Sequence, residues 1–263
     1  MILPNRSHLP RTHPLGPVVL LLPAILLPSG CQPLIIPDPA VRYIAFGDST
    51  TAGPADRQYW EFVRDDLGLP ADSFAGQGHG GETTAEGLVR LGTLLDSGVY
   101  PNAEVLLYWE GANDILDFVQ DHDPLLLFPP DAGTYPFKDD LDAALDTVEA
   151  NIEQAVQMSR QAGLAVYVAT YYSFSDDVEE CKSALLGVLL PGQLHLVNDY
   201  VELLNARIRK AAASAGAVLV DVSTRTAQLA ADPANYVNCN HLSSNGTRIV
   251  AEVFEAVASP AWP

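Results

Sequence analysis

The sequence predicts an α/β fold, a three-layer α/β/α sandwich around a mostly parallel central sheet. Short apolar runs rich in β-branched residues alternate with longer amphipathic stretches. Such runs, bounded by Gly or Asp, are typical of strands buried on both faces of a parallel sheet. Right-handed crossovers between these strands place ligand sites at their carboxyl ends. Without the first thirty residues roughly 230 remain, which is enough for one domain of this kind.

Individual elements follow from the spacing of the apolar residues. One helix carries its apolar residues on a single face, with Asp140 as N-cap and Gly163 as the stop. A second helix repeats the spacing and ends at Gly216, and the last follows a predicted turn at Asn245-Gly246. Strands are predicted over residues 41–46, 105–109, 164–172 and 217–222.

Residues 1–30 have the features of a secretory signal peptide. Arg6 and Arg11 precede an apolar stretch over residues 17–27, which is too short and too broken by proline to span a bilayer. The sequence Pro28-Ser29-Gly30-Cys31 resembles the lipobox of bacterial lipoproteins, although the lipobox has Leu, Val or Ile where Pro28 stands. In that pattern the cysteine becomes the lipidated N-terminus of the mature chain.

We therefore expect an exported protein, anchored to the outer face of a bacterial membrane by lipid on Cys31, with plain secretion as the alternative. Residues 31–40 are expected to form a linker, and residues 41–263 the folded domain.

The three cysteines fit an exported protein. If lipid occupies Cys31, then Cys181 and Cys239 remain as an even pair in an oxidising compartment. A disulfide between them would tether the segment around Cys181 to the loop that carries His241. The alternative is two unrelated buried thiols.

The formal net charge of −19 narrows the range of partners. So acidic a chain repels phosphate backbones and anionic headgroups. We therefore expect no nucleic-acid partner.

Residues suited to nucleophilic catalysis follow the predicted strands. Ser49 lies where the first strand gives way to a turn, which would hold its hydroxyl on rigid backbone at a sheet edge. Gly81 lies in a glycine-rich loop, Asn113 follows the strand that ends at Trp109, and His241 precedes the last helix. All four therefore fall on loops at one edge of the sheet.

These residues lie in motifs that resemble those of the SGNH hydrolases, the GDSL-type lipases and esterases. The four motifs occur in the family's order over roughly residues 41–258; they are Gly47-Asp48-Ser49, Gly78-His79-Gly80-Gly81-Glu82-Thr83-Thr84, Gly111-Ala112-Asn113-Asp114 and His241 followed by Leu242-Ser243-Ser244-Asn245-Gly246.

The resemblance implies a flavodoxin-like hydrolase domain that cleaves carboxylic esters. Ser49 would form an acyl-enzyme, with His241 as general base, because an imidazole can take the hydroxyl proton and deliver it to the leaving alkoxide. The backbone N–H groups of Ser49 and Gly81 and the amide of Asn113 would form the oxyanion hole. The substrate is expected to be a small-molecule, lipid or carbohydrate ester.

One position departs from the family pattern. The family has an aspartate three residues before the histidine, and this chain has Asn238. Three explanations are open: Asn238 orients the ring in a slower enzyme, a carboxylate such as Asp232 or a backbone carbonyl replaces it, or hydrolysis is lost. The last would leave a catalytically impaired, surface-anchored binding protein with the same fold.

We expect neither cofactor nor metal. Gly76, Gly78 and Gly81 satisfy a dinucleotide-binding pattern, but Asp96 falls near the end of a helix instead of at the tip of the next strand. Two apolar insertions, at residues 125–130 and 185–190, are predicted either to wall an acyl pocket or cover it as a lid, or to pack against the core.

Overall fold

A five-stranded parallel sheet forms the centre of the molecule. The computed structural model describes residues 35–131, 133–175, 194–258 and 262. In chain order the strands are β1 (Tyr43–Gly47), β2 (Phe74–Gly78), β3 (Val105–Trp109), β4 (Ala165–Ala169) and β5 (Val218–Val220). Their order across the sheet is β2-β1-β3-β4-β5, and every pair is parallel. The predicted α/β class is confirmed.

Helices lie against both faces of this sheet. They are α1 (Ser49–Ala52), α2 (Tyr59–Asp66), α3 (Thr84–Ser97), α4 (Ala112–His122), α5 (Lys138–Gln161), α6 (Leu194–Ala215), α7 (Thr226–Ala230) and α8 (Ser244–Ala258). The crossover from β1 to β2 runs opposite to those that follow it, so α2 lies on one face and α3, α5 and α6 on the other. In agreement, α2 packs on α8, whereas α5 packs on α3 and α6.

The core is densest around the two central strands. All five residues of β1 and of β3 are buried. At the end of β3, the Trp109 ring packs edge-on against Tyr59 at 5.3 Å, and Tyr59 stacks on Phe254 at 4.7 Å. These contacts join β3 to α2 and α8 directly beneath the sheet edge where the candidate residues lie.

Several predicted boundaries were wrong by a few residues. Helix α5 begins at Lys138, so Asp140 lies within its first turn instead of capping it. Helix α8 begins at Ser244, because the Ser243 hydroxyl accepts a hydrogen bond from the Asn245 N–H at 3.2 Å. Asn245 and Gly246 are therefore helical and do not form a turn.

Two predicted strands extend beyond the observed ones. Strand β4 ends at Ala169, and the N–H of Tyr171 then bonds to the Asn205 side chain at 2.7 Å instead of to a neighbouring strand. Strand β5 ends at Val220, and a short 3₁₀ helix begins at Val222.

The remaining predictions concern the N-terminus, the cysteines and the insertions. Residues 1–34, which include Cys31, and residues 185–190 with Cys181 lie outside the described residues. Cys239 is buried, and in the insertion at 125–130 Leu126 is buried while Leu125, Leu127 and Phe128 remain partly exposed. Within the described part of the chain, no helix has both the length and the apolar character needed to cross a membrane.

Candidate active site

Ser49 begins helix α1 directly after the central strand β1. Asp48 is the N-cap residue: its carboxylate accepts the Thr50 N–H at 2.7 Å, and its carbonyl accepts the N–H groups of Thr51 and Ala52, both at 3.1 Å. Asp48 therefore bonds the three N–H groups that follow Ser49. The serine side chain is half-buried. Its backbone is fixed because strand β1 precedes it and the hydrogen bonds of Asp48 hold the residues that follow it.

The Asp48 carboxylate is fully buried beneath the serine. It accepts hydrogen bonds from the Tyr171 hydroxyl at 2.6 Å and from the Thr50 hydroxyl at 2.8 Å. Burial raises the pKa of Asp48 from 3.8 to about 6, although these hydrogen bonds act in the opposite direction. The Asp48 side chain thus stabilises the turn that carries Ser49, which is a structural role.

The glycine-rich loop after β2 lies tightly against the serine turn. A Cβ atom at Gly78 would stand 2.3 Å from the Ala52 nitrogen, so no other residue fits there. The His79 N–H donates to the carbonyl of Gly47 at 2.8 Å, which ties the loop to the end of β1. Gly81 has a φ of +82°, a conformation that glycine adopts without strain.

Asn113 lies in the first turn of α4, where its amide reaches the same loop. Its Nδ2 atom donates to the carbonyl of Glu82 at 2.8 Å. Because a carbonyl only accepts, the nitrogen of the amide must face the loop. An NH₂ group has two hydrogens, so the second can serve a ligand.

His241 is held in a short loop that closes on itself. The N–H of Val237 donates to the carbonyl of His241 at 2.9 Å, and Tyr236 pairs with Leu242 in an antiparallel bridge. The Tyr172 hydroxyl donates to the carbonyl of Asn240 at 2.7 Å. The loop is therefore bonded to the segment that follows β4.

Asn238 contacts the imidazole ring directly. Its Oδ1 atom lies 3.1 Å from Nδ1 of His241 and also accepts the backbone N–H groups of Asn240 and His241, at 3.1 and 2.9 Å. Those two N–H groups only donate, so the atom that faces them must be the amide oxygen. Nδ1 must then carry the proton, and Nε2 keeps its lone pair.

This contact bears on the explanations for the missing aspartate. The carboxylate of Asp232 accepts the N–H of Ala234 at 2.9 Å, as the cap of a 3₁₀ helix, and is solvent-exposed. The ring partner of His241 is therefore the Asn238 amide. Burial lowers the pKa of His241 below 6.5, which keeps the imidazole neutral and able to accept a proton.

The predicted residues converge on two adjoining clefts at the carboxyl edge of the sheet. Ser49 and His241 line one narrow cleft together. Ser49 also lines a second cleft together with Asn113 and Phe174. Gly81 follows Gly80, where an added Cβ would stand 3.8 Å from the Ser49 Cβ. The structure thus brings Ser49, His241, Asn238 and Asn113 together and places the glycine loop against them.

Sequence reasoning missed two groups of residues beside the clefts. Tyr171 and Tyr172 follow β4 and bond to Asp48 and to the His241 loop, respectively. Glu82, Glu110 and Arg90 form a cluster behind the glycine loop. An acidic residue directly after a fully apolar strand, as Glu110 follows Trp109, was the signal that could have indicated this cluster.

Comparisons with known proteins give the chain its family. The model of the GDSL-like lipase/acylhydrolase family matches residues 45–249. Among curated proteins, none matches the chain.

Solved structures share the fold at low sequence identity. A lipolytic G-D-S-L family protein from Veillonella parvula is 17% identical with a TM-score of 0.55, covering 84% of this chain and 99% of its own. The acetyl xylan esterase AlAXEase is 22% identical with a TM-score of 0.53, covering 82% and 98%. The esterase EstA from Pseudoalteromonas sp. is 14% identical with a TM-score of 0.54, covering 83% and 96%. With the family model matched over most of its length, the chain belongs to the GDSL-like lipase/acylhydrolase family of ester-hydrolysing enzymes.

Proposed function

We propose that this enzyme hydrolyses carboxylic esters through an acyl-enzyme on Ser49, with His241 as the general base. The observation that carries the proposal is the Asn238 contact, because it leaves Nε2 of His241 as the proton acceptor in a cleft that Ser49 also lines. The serine oxygen attacks the ester carbonyl carbon while its proton passes to Nε2. The imidazolium then returns the proton to the leaving alcohol, and water repeats the sequence to free the acid.

The proposed oxyanion hole consists of three donors: the N–H groups of Ser49 and Gly81 and the second amide hydrogen of Asn113. Its support is the fixed geometry around each of them. Asn113 is held by the Glu82 carbonyl at 2.8 Å, and the loop that carries Gly81 is held by the end of β1. Donors fixed in advance stabilise a developing oxyanion without reorganisation.

We expect Asn238→Asp to raise kcat by about 10- to 100-fold, because it replaces a neutral hydrogen bond to the ring by a charge-assisted one. In a serine protease the reverse change costs about four decades, attributed to the wrong histidine tautomer. Here the amide oxygen already faces Nδ1, so the tautomer is correct and only the charge is missing. A steady-state pH profile on 4-nitrophenyl acetate measures the change.

The same variant should move the acid limb of that profile to higher pH. A carboxylate beside the ring stabilises the imidazolium and so raises the pKa of His241. Asn245→Asp is the matched control, since it adds the same charge at an exposed residue in the first turn of α8. An unchanged kcat and acid limb in a folded Asn238→Asp protein would contradict the assigned role of Asn238.

A catalytically impaired binding protein with this fold is the alternative. Its basis is the neutral residue at position 238, which supplies no charge to the imidazolium. Purified protein that binds esters but shows neither turnover nor a serine adduct would favour it.

The substrate that we propose is an ester of a small molecule, a lipid or a carbohydrate. One protein of similar fold is named as an acetyl xylan esterase. In this chain the cleft that Ser49 shares with Asn113 is also bordered by Leu116 and Phe174, which suits an apolar acyl group.

We also propose that the protein is exported, with lipid on Cys31 and a disulfide between Cys181 and Cys239. The support lies in the sequence around Cys31 and in the even number of remaining cysteines. Intact mass of the protein from cell envelopes, before and after reduction, tests both: we expect a diacylated N-terminal Cys31 and a gain of two hydrogens on reduction. A mass that includes residues 1–30 would contradict the lipid anchor, and an unchanged mass on reduction would contradict the disulfide.

A further inference from the structure

Two buried carboxyl groups share one guanidinium behind the glycine loop. Arg90 binds Glu82 through Nε and Oε1 at 2.6 Å and lies 3.7 Å from Oε1 of Glu110. The side chain of Glu82 is 3% exposed and that of Glu110 is fully buried. The Arg90 guanidinium also stacks over the Phe46 ring at 3.8 Å, so the cluster is closed on the side of the sheet.

The two acids are not held equally. Both oxygens of Glu110 lack a hydrogen-bond partner among the described residues, whereas Glu82 receives two N–H groups of Arg90. The carboxyl groups meet above Gly87, where an added Cβ would stand 3.1 Å from Oε1 of Glu110 and 3.4 Å from Oε2 of Glu82. Two carboxylates that share one buried site each disfavour the charge of the other, and a proton on Glu110 would make it a donor to Glu82.

This cluster is bonded to the parts of the proposed oxyanion hole. The backbone carbonyl of Glu82 is the one that holds the Asn113 amide. Arg90 donates to the carbonyls of Gln77 at 3.0 Å and Gly47 at 3.3 Å, which lie at the ends of β2 and β1. Glu110 itself stands three residues before Asn113 in the chain. Fixing Glu110 therefore also fixes the backbone that leads into α4.

We propose that Glu110 is a positioning residue that acts as a neutral carboxylic acid, donating its proton to Glu82 and thereby fixing the glycine loop and the Asn113 amide for ester hydrolysis. This inference rests on the proposed function. Glu110 does not touch the substrate; it acts through Glu82, whose side chain binds Arg90 and whose carbonyl binds Asn113.

The surroundings of Glu110 favour the neutral form. Arg90 is the cation that lies near Glu110, at 3.7 Å, and Glu82 already engages it through two hydrogen bonds. The other titratable groups around the cluster are the acids and phenols Glu82, Asp48, Asp114, Tyr108 and Tyr171. His79 adds an exposed imidazole, whose Nδ1 lies 3.4 Å from Oε1 of Glu82. Burial, followed by the charge of Asp48, raises the pKa of Glu110 well above 4.5. For Glu82 burial also acts to raise the pKa, but the hydrogen bonds from Arg90, Glu110 and His79 and the charge of Arg90 together lower it below 4.5.

The sign of the resulting pH dependence follows from proton binding. Above pH 4.5 an unfolded chain loses the Glu110 proton while the folded chain keeps it. Stability therefore falls as pH rises from 4.5 towards the folded pKa of Glu110, and Glu110→Gln removes that contribution. We expect the melting temperature of Glu110→Gln to rise relative to wild type across this range.

Two variants of the full chain test the proposal by activity. Glu110→Gln keeps a neutral donor to Glu82, so its kcat at pH 7 should stay close to that of the wild type. Glu110→Met has a similar size but no donor, so its kcat should fall about 10- to 100-fold with little change in KM. Above the pKa of Glu110 the wild type should lose activity that Glu110→Gln retains.

The results separate this proposal from the proposed function. If the wild type shows no turnover, the melting series still reports whether Glu110 is neutral. Given an active wild type, a Glu110→Met protein as fast as wild type, or a Glu110→Gln protein as slow as Glu110→Met, would overturn the positioning role. If the melting temperatures of wild type and Glu110→Gln depend on pH in the same way, the claim that Glu110 is neutral in the folded protein would be overturned.

Discussion

Ser49→Ala is expected to abolish ester hydrolysis, with kcat reduced by about 10⁴- to 10⁶-fold, because alanine cannot form the acyl-enzyme. The fold should persist. Ser49 is half-buried, and the hydrogen bonds of its turn are made by Asp48, Thr50 and backbone groups, none of which the substitution removes.

The measurement is hydrolysis of 4-nitrophenyl acetate, with thermal unfolding as the check on folding. Ser214→Ala provides the matched control, since Ser214 is an exposed residue of α6 far along the chain from the site. Substantial turnover in folded Ser49→Ala protein would mean that another group is the nucleophile.

Asn113→Ala should lower kcat by about 100- to 1000-fold with little change in KM, the effect typical of losing one oxyanion donor. The amide is proposed to bind charge that exists only in the transition state, so ground-state affinity should hardly respond. The substitution also removes the hydrogen bond to the Glu82 carbonyl. That loss loosens the glycine loop and adds to the effect on kcat.

Asn102→Ala is a suitable control for this experiment, because Asn102 is exposed and its amide donates a hydrogen bond to the Pro39 carbonyl, away from the site. Steady-state kinetics of both variants give the comparison. Unchanged turnover in folded Asn113→Ala protein would remove Asn113 from the oxyanion hole.

The fold could be predicted well where burial alone determines the element. Strands β1 and β3 are buried on every residue, and their apolar runs are evident in the sequence. Strand β2 was missed as a strand because its sequence, Phe-Ala-Gly-Gln-Gly, has two glycines and only one large apolar side chain. Its register beside β1 depends on the close approach of Gly78 to Ala52, which is a tertiary contact.

The candidate site was predictable in its residue types but not in its contacts. Ser49, Asn113 and His241 follow strand ends or precede the last helix, so parallel topology alone brings them to one edge. Whether Asn238 would face the ring with its oxygen or its nitrogen depends on two backbone N–H groups of a loop conformation. Likewise, Glu110 and Glu82 are 28 residues apart in the chain, and only the pairing of β1 with its neighbours makes them meet above Gly87.

The central claim is that Ser49 is a nucleophile activated by His241, and fluorophosphonate labelling tests it most directly. An organophosphonate reacts only with a serine whose proton has an acceptor and whose product oxygen has donors. The account predicts one phosphonyl adduct on the peptide that contains Ser49, found by mass spectrometry in wild type and missing in Ser49→Ala. Its rate should rise with pH through a midpoint below 6.5, because burial lowers the pKa of His241. A folded wild-type protein that stays unlabelled, or that carries the adduct at another residue, would contradict it.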